Sequence, residues 1–183
     1  MGFLLLSGGA VALPAHAMAP RAPLLPDYAV TLTAYNAVSE QTDDNPFETA
    51  SGAYSNPEIV AARSGNLAGK LPFGTIIELD GSNISSRDTC GYNVVKKRIG
   101  YRVIADTMNS RYTDRIDILF STESNYVMKD GREKNAGAML GICNGASVRV
   151  VGHIDITNPN RLPKTQAELA AIVNGKSDAL AVK

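Results

Sequence analysis

Six short segments of the chain alternate apolar and polar positions, and most are rich in β-branched side chains. A period of two is typical of strands that bury one face, and turns of Gly, Asn and Ser separate the segments. The pattern predicts an all-β fold, for which six short strands favour a small barrel. The predicted strands are residues 28–35, 74–81, 92–97, 101–107, 115–120 and 146–156.

Three other stretches lack this strand period. Residues 56–70 are predicted to form a short helix or irregular chain, and residues 125–140 a loop with one helical turn. Past residue 158 the pattern predicts a helix whose apolar face packs on the barrel, followed by a tail. The features of this helix are Thr165 as N-cap, Glu168 at the capping-box position, Leu169, Ile172 and Val173 on the apolar face, and Gly175 as C-cap.

Residues 1–17 match a secretory signal peptide. An apolar run from Phe3 to Leu13 precedes a small-x-small cleavage pattern at residues 15–17, and the run is too short to span a bilayer. We therefore expect export across the inner membrane to the periplasm or cell envelope. No cysteine follows the run, so no stable membrane anchor is expected. The alternative is a buried N-terminal strand or helix.

A chain of 183 residues suits one domain. We place the barrel at residues 28–157, after a proline-rich linker at 18–27 and before a helix and tail at 158–183. Lys plus Arg and Asp plus Glu both number 18, and this zero net charge does not favour binding to nucleic acid or to an anionic membrane. We expect a monomer that uses no cofactor.

The two cysteines, Cys90 and Cys143, would meet an oxidising compartment after export. A disulfide between them is then expected, and the alternative is a pair of buried thiols. A metal site is not expected, because His16 lies in the signal peptide and His153 stands alone, so the cysteines lack partners at metal-ligand spacing.

Two aspartates lie at the ends of neighbouring predicted strands. Asp106 ends one strand and Asp117 begins the next, an interval that can bring both carboxyls to one rim of a sheet. A carboxyl beside another charge, or removed from water, can keep its proton near neutral pH and act as a general acid, as glycosidic cleavage requires. Between them, Asn109 offers hydrogen bonds to a sugar, while Arg111 and Arg115 offer charge to an acidic substrate group.

Two other interpretations of this segment stay open. In the first, the Asp and Asn residues cap backbone groups of a turn while the arginines form surface ion pairs. In the second, a group of oxygen ligands holds calcium, although the glycine and terminal glutamate of an EF-hand are missing. Those ligands would be Asp106, Asn109, Asp114 and Asp117.

The loop after the first predicted strand is rich in hydroxyl and amide groups. Phe47 and Tyr54 in this loop offer aromatic faces for a pyranose ring, so the composition is typical of a carbohydrate site. The alternative is a long polar loop of Asx turns. The polar residues of this region are Thr33, Tyr35, Gln41, Thr42, Asp43 and Thr49.

Three sequence blocks occur in order between residues 28 and 154: "LTAYNAV...QTD..P..TASG", "LPFGTIIEL" and "VIADTMNSRYTDRIDILF". Together they resemble the 3D (Asp-Asp-Asp) domain, which is related to the barrels of membrane-bound lytic transglycosylase A and rare lipoprotein A. The resemblance implies a six-stranded double-psi β-barrel, here with a short C-terminal helix. Barrels of that family cleave peptidoglycan between N-acetylmuramic acid and N-acetylglucosamine without water, and they form a 1,6-anhydro product.

The resemblance also implies roles for single residues. Asp117 would protonate the glycosidic oxygen and then, as a base, take the proton of the C6 hydroxyl. Asp106 would tune the pKa of Asp117 and hold the sugar, and Thr33 would hydrogen-bond Asp117 or the substrate. The first aspartate of the family falls near Ala62 or Arg63, where this chain has none. Further expected substrate contacts are Tyr35, Thr49, Asn109 and Arg111.

The sequence therefore favours a lytic transglycosylase whose partner is the glycan strand of peptidoglycan. One alternative is a glycan-binding barrel of the envelope without turnover, and another is a structural or regulatory envelope protein with a degenerate pocket. A pure binder needs aromatic platforms and tolerates loss of Asp117. Aromatic residues make up only 6% of this chain and Trp is absent, which disfavours the binder.

Overall fold

The structure, a computed structural model, describes residues 26–42, 45–85, 90–158 and 162–175. The predicted signal peptide, nearly all of the predicted linker, Asp43 and the predicted tail beyond Gly175 lie outside the described residues. The strands are β1 Asp27–Asn36, β2 Val60–Arg63, β3 Thr75–Asp80, β4 Arg102–Thr107, β5 Arg115–Phe120, β6 Asn125–Val127, β7 Glu133–Asn135 and β8 Cys143–His153. The helices are α1 Tyr92–Ile99, α2 Ala136–Leu140 and α3 Gln166–Val173, with a 3₁₀ turn at Gly65–Leu67.

Six of these strands close into a barrel in the order β1-β5-β2-β4-β3-β8. The β1–β5 and β2–β4 pairs are parallel, and the other neighbours are antiparallel. The predicted all-β class, with a six-stranded barrel and a short C-terminal helix, is confirmed by this closed mixed barrel. Closure leaves neither β2 nor β4 with a free edge, because each pairs on both sides.

The predicted strand at residues 92–97 is wrong, because this segment belongs to helix α1. Val95 and Ile99, four residues apart, both lie in the barrel core, while the lysines between them are exposed. A spacing of four residues is typical of a helix. The predicted strand ended at residue 97, so Ile99 was left out and the helical spacing was not visible. Gly100 ends the helix with a φ of 58°, a backbone conformation that favours glycine.

The sixth barrel strand is instead β2, which lies in the segment predicted as helix or irregular chain. All four of its residues are buried. A strand that is covered on both faces shows no alternation of apolar and polar residues, so the period of two was absent. Residues 125–140 also differ from the prediction, since they form the β6–β7 hairpin before the helical turn of α2.

Apolar side chains form two clusters on opposite sides of the barrel wall. The inner cluster takes residues from all six barrel strands and from α1 and α2, for example Leu32, Ile104 and Ile118. The outer cluster covers the other faces of β2 and β4 through Val60 and Val103, together with Leu169 of α3. Helix α3 therefore packs on the outside of the barrel through the face that was predicted from its sequence.

The cysteines are joined as predicted. Cys90 and Cys143 form a disulfide with Cα atoms 5.1 Å apart, which ties the chain before α1 to the start of β8. The N-cap of α3 also follows the prediction, since Thr165 Oγ1 accepts a hydrogen bond of 3.2 Å from the Glu168 amide. Among the described helices, none is long and apolar enough to cross a bilayer.

Candidate active site

A row of four residues crosses four neighbouring strands on the outer side of the barrel wall. Thr33 of β1 lies opposite Asp117 of β5, Asp117 lies opposite Ala62 of β2, and Ala62 lies opposite Asp106 of β4. Residues that are directly opposite in a sheet point to the same side. The two aspartates therefore share one face, two strand spacings apart, which is about 9 to 10 Å between Cα atoms.

A bulge in β4 brings Asp106 into this row. Ala61 pairs with Ile104, but the next residue, Ala62, pairs with Asp106, so Ala105 has no partner of its own. Such an extra residue re-aims the side chain that follows it. Without the bulge, Ala105 would stand opposite Ala62, and Asp106 would lie one position further along the strand.

Three residues of the row, Asp117, Ala62 and Asp106, lie at the floor of a cleft of about 660 Å³. One wall is the loop between β1 and β2, and the other is the loop between β4 and β5. Seven residues of the predicted sites line this cleft: Asp106, Asp117, Tyr35, Asn109, Arg111, Gln41 and Thr42. The other lining residues are Ala34, Glu40, Glu48, Ala50, Ser55, Ala62, Thr107, Met108 and Tyr112.

Asp117 has the properties of a proton donor. Burial raises the pKa of its carboxyl to about 6, and the negative charge of Asp106 adds to the rise. Two groups oppose this rise in pKa: Arg115 through its charge, and Thr33, whose hydroxyl donates a hydrogen bond of 2.7 Å to Oδ1. A carboxyl with this pKa is a mixture of both protonation states near neutral pH, so it can give a proton and take one back.

Asp106 has a different environment, because its hydrogen bonds use both oxygens. Oδ2 accepts from the Tyr35 hydroxyl at 2.8 Å, and Oδ1 accepts from the amides of Ala50 at 2.9 Å and Thr107 at 2.8 Å. These three donors fix the position of the carboxylate. Asp106 thus holds a negative charge near Asp117 and ties the β1–β2 loop to the barrel.

Tyr35 and Thr49 both make their hydrogen bonds within the protein. The Tyr35 ring is buried and its hydroxyl is engaged with Asp106, so its main contact is that carboxylate. Burial and the charge of Asp106 raise the pKa of Tyr35. Thr49 does not line the cleft, because it is buried and its hydroxyl donates to the Ala53 carbonyl at 3.0 Å. This hydrogen bond closes a turn of the β1–β2 loop, and the substrate contact of Thr49 stays a prediction.

Basic and aromatic side chains form the β4–β5 wall of the cleft. The guanidinium carbons of Arg111 and Arg115 lie 4.8 Å and 4.5 Å from the centroid of the Tyr112 ring. Arg111 also donates a hydrogen bond of 2.8 Å to the Tyr112 hydroxyl. Arg115 Nε is buried and has no hydrogen-bond partner among the described residues. This wall offers positive charge to an acidic group of a ligand.

The residues of the calcium alternative are not gathered around one point. Asp114 is tied to Asn66 by two hydrogen bonds, of 2.8 Å from the Asn66 side-chain amide and 3.0 Å to its oxygen. Asn109 Oδ1 accepts from the Arg111 amide at 3.1 Å. Asp114 and Asn109 thus organise the turn itself. Within the described parts of the chain, no group of three His, Cys, Asp or Glu residues is placed to hold a metal.

Among the charged and aromatic residues that line the cleft, sequence reasoning missed Glu40, Glu48 and Tyr112. Glu40 and Glu48 belong to the long β1–β2 loop, and their distance from Asp117 along the chain carries no signal of proximity. Tyr112 lies inside the predicted turn, where only Asn109, Arg111 and Arg115 were expected to contact a substrate. The two aromatic residues expected to stack on a sugar, Phe47 and Tyr54, are exposed but do not line this cleft.

Comparison with known proteins finds no matching family model and no matching curated protein. The fold by itself does not assign an activity, because barrels host many functions. The activity must therefore be inferred from the chemistry of the cleft.

Substituting Thr33 with Val is expected to raise the pKa of Asp117. The hydroxyl of Thr33 donates to the carboxylate and so favours the charged form, which the variant would lose. The pKa of the Asp117 carboxyl should be followed by carbon NMR against pH. Thr31→Val is the matched control, because Thr31 lies on the same strand and bonds Asn144 instead. An unchanged or lowered pKa in Thr33→Val would contradict the assignment.

Proposed function

We propose that this protein is a lytic transglycosylase of the bacterial cell wall. It cleaves the bond between N-acetylmuramic acid and N-acetylglucosamine in peptidoglycan, with Asp117 as the general acid and base. The observation that carries the proposal is the Asp117 carboxyl, which is partly buried at the floor of an open cleft with a pKa raised to about 6. The fold class and the order of the sequence blocks agree with this function.

The chemical step needs one titratable carboxyl. Protonated Asp117 gives its proton to the glycosidic oxygen as the bond from C1 to that oxygen breaks, and N-acetylglucosamine leaves as an alcohol. The Asp117 carboxylate then takes the proton of the C6 hydroxyl while O6 bonds to C1. The product is a 1,6-anhydro sugar, no water is consumed, and Asp117 is protonated again.

The hydrogen bonds of Asp106 favour this route over hydrolysis. A hydrolase of the usual kind needs a second carboxyl, either as nucleophile or to activate a water. Asp106 lies in the same row across the strands as Asp117, but its oxygens already accept from Tyr35, Ala50 and Thr107. A transglycosylase needs no second base, because the substrate supplies its own hydroxyl as the nucleophile.

Export to the periplasm or cell envelope and action on glycan strands as a monomer belong to the same proposal. The cleft has walls of opposite charge: Glu40 and Glu48 lie on one side, and Arg111 lies on the other. Such walls suit a polar polymer with acidic substituents.

The rate of cleavage is expected to fall as the pH rises through about 6. Asp117 must be protonated to act as the acid, and the protonated fraction is lost above its pKa. The falling limb of kcat/KM against pH should therefore have an apparent pKa near 6, well above that of an ordinary carboxyl. The measurement is the initial rate of glycan release between pH 4 and pH 8. A falling limb with an apparent pKa near that of an ordinary carboxyl would contradict the acid role.

The direct test of the function uses dye-labelled sacculi. The protein from residue 18 onward is expected to release soluble dye, whereas Asp117→Asn is expected to bind the sacculi and release none. Binding by both proteins with release by neither would leave a non-catalytic glycan-binding barrel. The observation that favours this second candidate is Ala62, which puts a methyl group between the two carboxylates, in the segment (Ala62 or Arg63) where the resemblance places an aspartate that this chain lacks. Release by both proteins would place the acid elsewhere.

A further inference from the structure

A second cavity adjoins the cleft on the same face of the barrel. It is a groove of about 540 Å³, and its floor is formed by Val60 of β2 and by Val103 and Ala105 of β4. One wall is residues 53–57, and the other is residues 162–164 before α3. Asn56 ties the walls together, because its Nδ2 donates a hydrogen bond of 2.8 Å to the Lys164 carbonyl.

The groove and the cleft are continuous along two strands. Ala105 of the groove precedes Asp106 of the cleft, and Val60 of the groove lies two residues before Ala62 of the cleft. Two residues of a strand span about 6.5 to 7 Å. Residues 49–53, here called the strap, contribute Ala50 to the cleft and Ala53 to the groove.

The strap is fixed to the barrel. The Ser51 amide donates to the Ala105 carbonyl at 3.1 Å, and the Ala50 amide donates to Asp106. Gly52, with a φ of 81°, makes the tight turn that this path requires. A polymer that occupies the cleft therefore meets a preformed groove beyond the strap.

The chemistry of the groove suits a sugar better than a peptide. Its floor is apolar, and the Tyr54 ring, 64% exposed, stands at its edge. An aromatic ring and an apolar floor fit the hydrogen-bearing face of a pyranose and the methyl of an N-acetyl group. An extended peptide would need backbone partners, but β2 and β4 are paired on both sides and Asn56 is already engaged.

We infer that this groove is a second glycan subsite, in which Tyr54 stacks on an N-acetylated sugar of the same strand that Asp117 cleaves. The inference rests on the proposed function and adds to it a preference for long glycan strands. A glycan oligomer that is longer than a disaccharide reaches the groove and therefore binds more tightly. A disaccharide occupies the cleft alone, so the groove does not change its affinity.

The test measures binding by calorimetry in the Asp117→Asn background, with a peptidoglycan disaccharide and with longer glycan oligomers. Tyr54→Ala is expected to weaken binding of the oligomers about tenfold and to leave disaccharide binding unchanged. Tyr54→Phe keeps the ring and should bind both ligands as the parent does. Phe47→Ala is the matched control, because Phe47 is equally exposed on the same loop but lines neither cavity.

Three results of the binding experiment would overturn the inference. Tyr54→Ala would bind both ligands as the parent does, or it would lose affinity for both equally, or Phe47→Ala would lose as much as Tyr54→Ala. A change in self-association of Tyr54→Ala by analytical ultracentrifugation would instead make the groove an interface between copies of the chain. If the parent binds no glycan at all, the proposed function and this subsite fail together, whereas the first three results leave the proposed function standing.

Discussion

Asp117→Asn is expected to lower the rate of glycan release from sacculi by about 1,000-fold. The substitution keeps the size of the side chain and an oxygen that can accept from the Thr33 hydroxyl, and it removes only the titratable proton. Loss of that proton removes both the acid and the base of the proposed reaction. The measurement is the initial rate of release at pH 5.5, where the parent carboxyl is largely protonated because its pKa is raised to about 6.

Asp114→Asn is the matched control for this experiment. Asp114 is an exposed carboxyl three residues earlier, with a φ of 48° that asparagine also tolerates, and it is tied to Asn66 outside the cleft. The control is expected to keep the parent rate. Asp117→Asn should also be at least as stable as the parent at pH 7, because a carboxyl with a raised pKa destabilises the fold above that pKa. A folded Asp117→Asn variant with the parent rate would exclude Asp117 as the acid.

Arg102→Met is expected to lower the free energy of unfolding by about 4 kcal/mol. Arg102 is 1% exposed, and its guanidinium donates to the carbonyls of five residues rather than to a carboxylate. Methionine fills similar space but leaves those buried carbonyls without a donor. The carbonyl partners are Pro57, Val60, Arg98, Ile99 and Leu119.

This arginine matters for the site because it joins the strands beneath it. Nη1 donates to Leu119 of β5 at 3.1 Å and to Pro57, just before β2, at 2.7 Å, while Arg102 itself begins β4. Urea unfolding followed by circular dichroism measures the loss. The control is Arg98→Met, an exposed arginine whose guanidinium stacks on Tyr126 at 4.6 Å, and it should cost about 1 kcal/mol or less. A loss below about 1 kcal/mol for Arg102→Met would show that water satisfies the carbonyls.

Much of the barrel could be predicted from the sequence because five of its strands, β1, β3, β4, β5 and β8, are rich in β-branched residues and lie between turn residues. Strand β2 has four buried residues and two alanines, so no local pattern separates it from a helix. Its place between β5 and β4 depends on pairing across the barrel, which a single segment does not encode.

The candidate site was predictable to a similar degree. The positions of Asp106 and Asp117 at strand ends predicted that they would share one face, and the structure places them there. The order of residues along the row was not predictable. Ala62 lies between the two carboxylates because of the register of β2 against β4 and β5 and because of the bulge at Ala105. The different environments of the two carboxyls also depend on remote residues, Thr33 for one and Ala50 for the other.

The polar residues of the β1–β2 loop show a further limit of predicting a ligand site from sequence. Thr49 has the composition of a sugar contact, but its hydroxyl closes the turn of the strap on Ala53. Hydroxyl groups of turns and hydroxyl groups of ligand sites have the same sequence signature, since both arise in Gly-rich and Asn-rich loops. Burial separates the two cases, and burial is a property of the folded chain.

The most direct test of the central claim is digestion of purified sacculi in water enriched in ¹⁸O, followed by mass spectrometry of the released muropeptides. The proposed reaction uses the substrate's own C6 hydroxyl, so the predicted products carry 1,6-anhydro ends and contain no ¹⁸O from the cleavage. Reducing ends that contain ¹⁸O would show that water attacks C1, and the protein would then be a hydrolase.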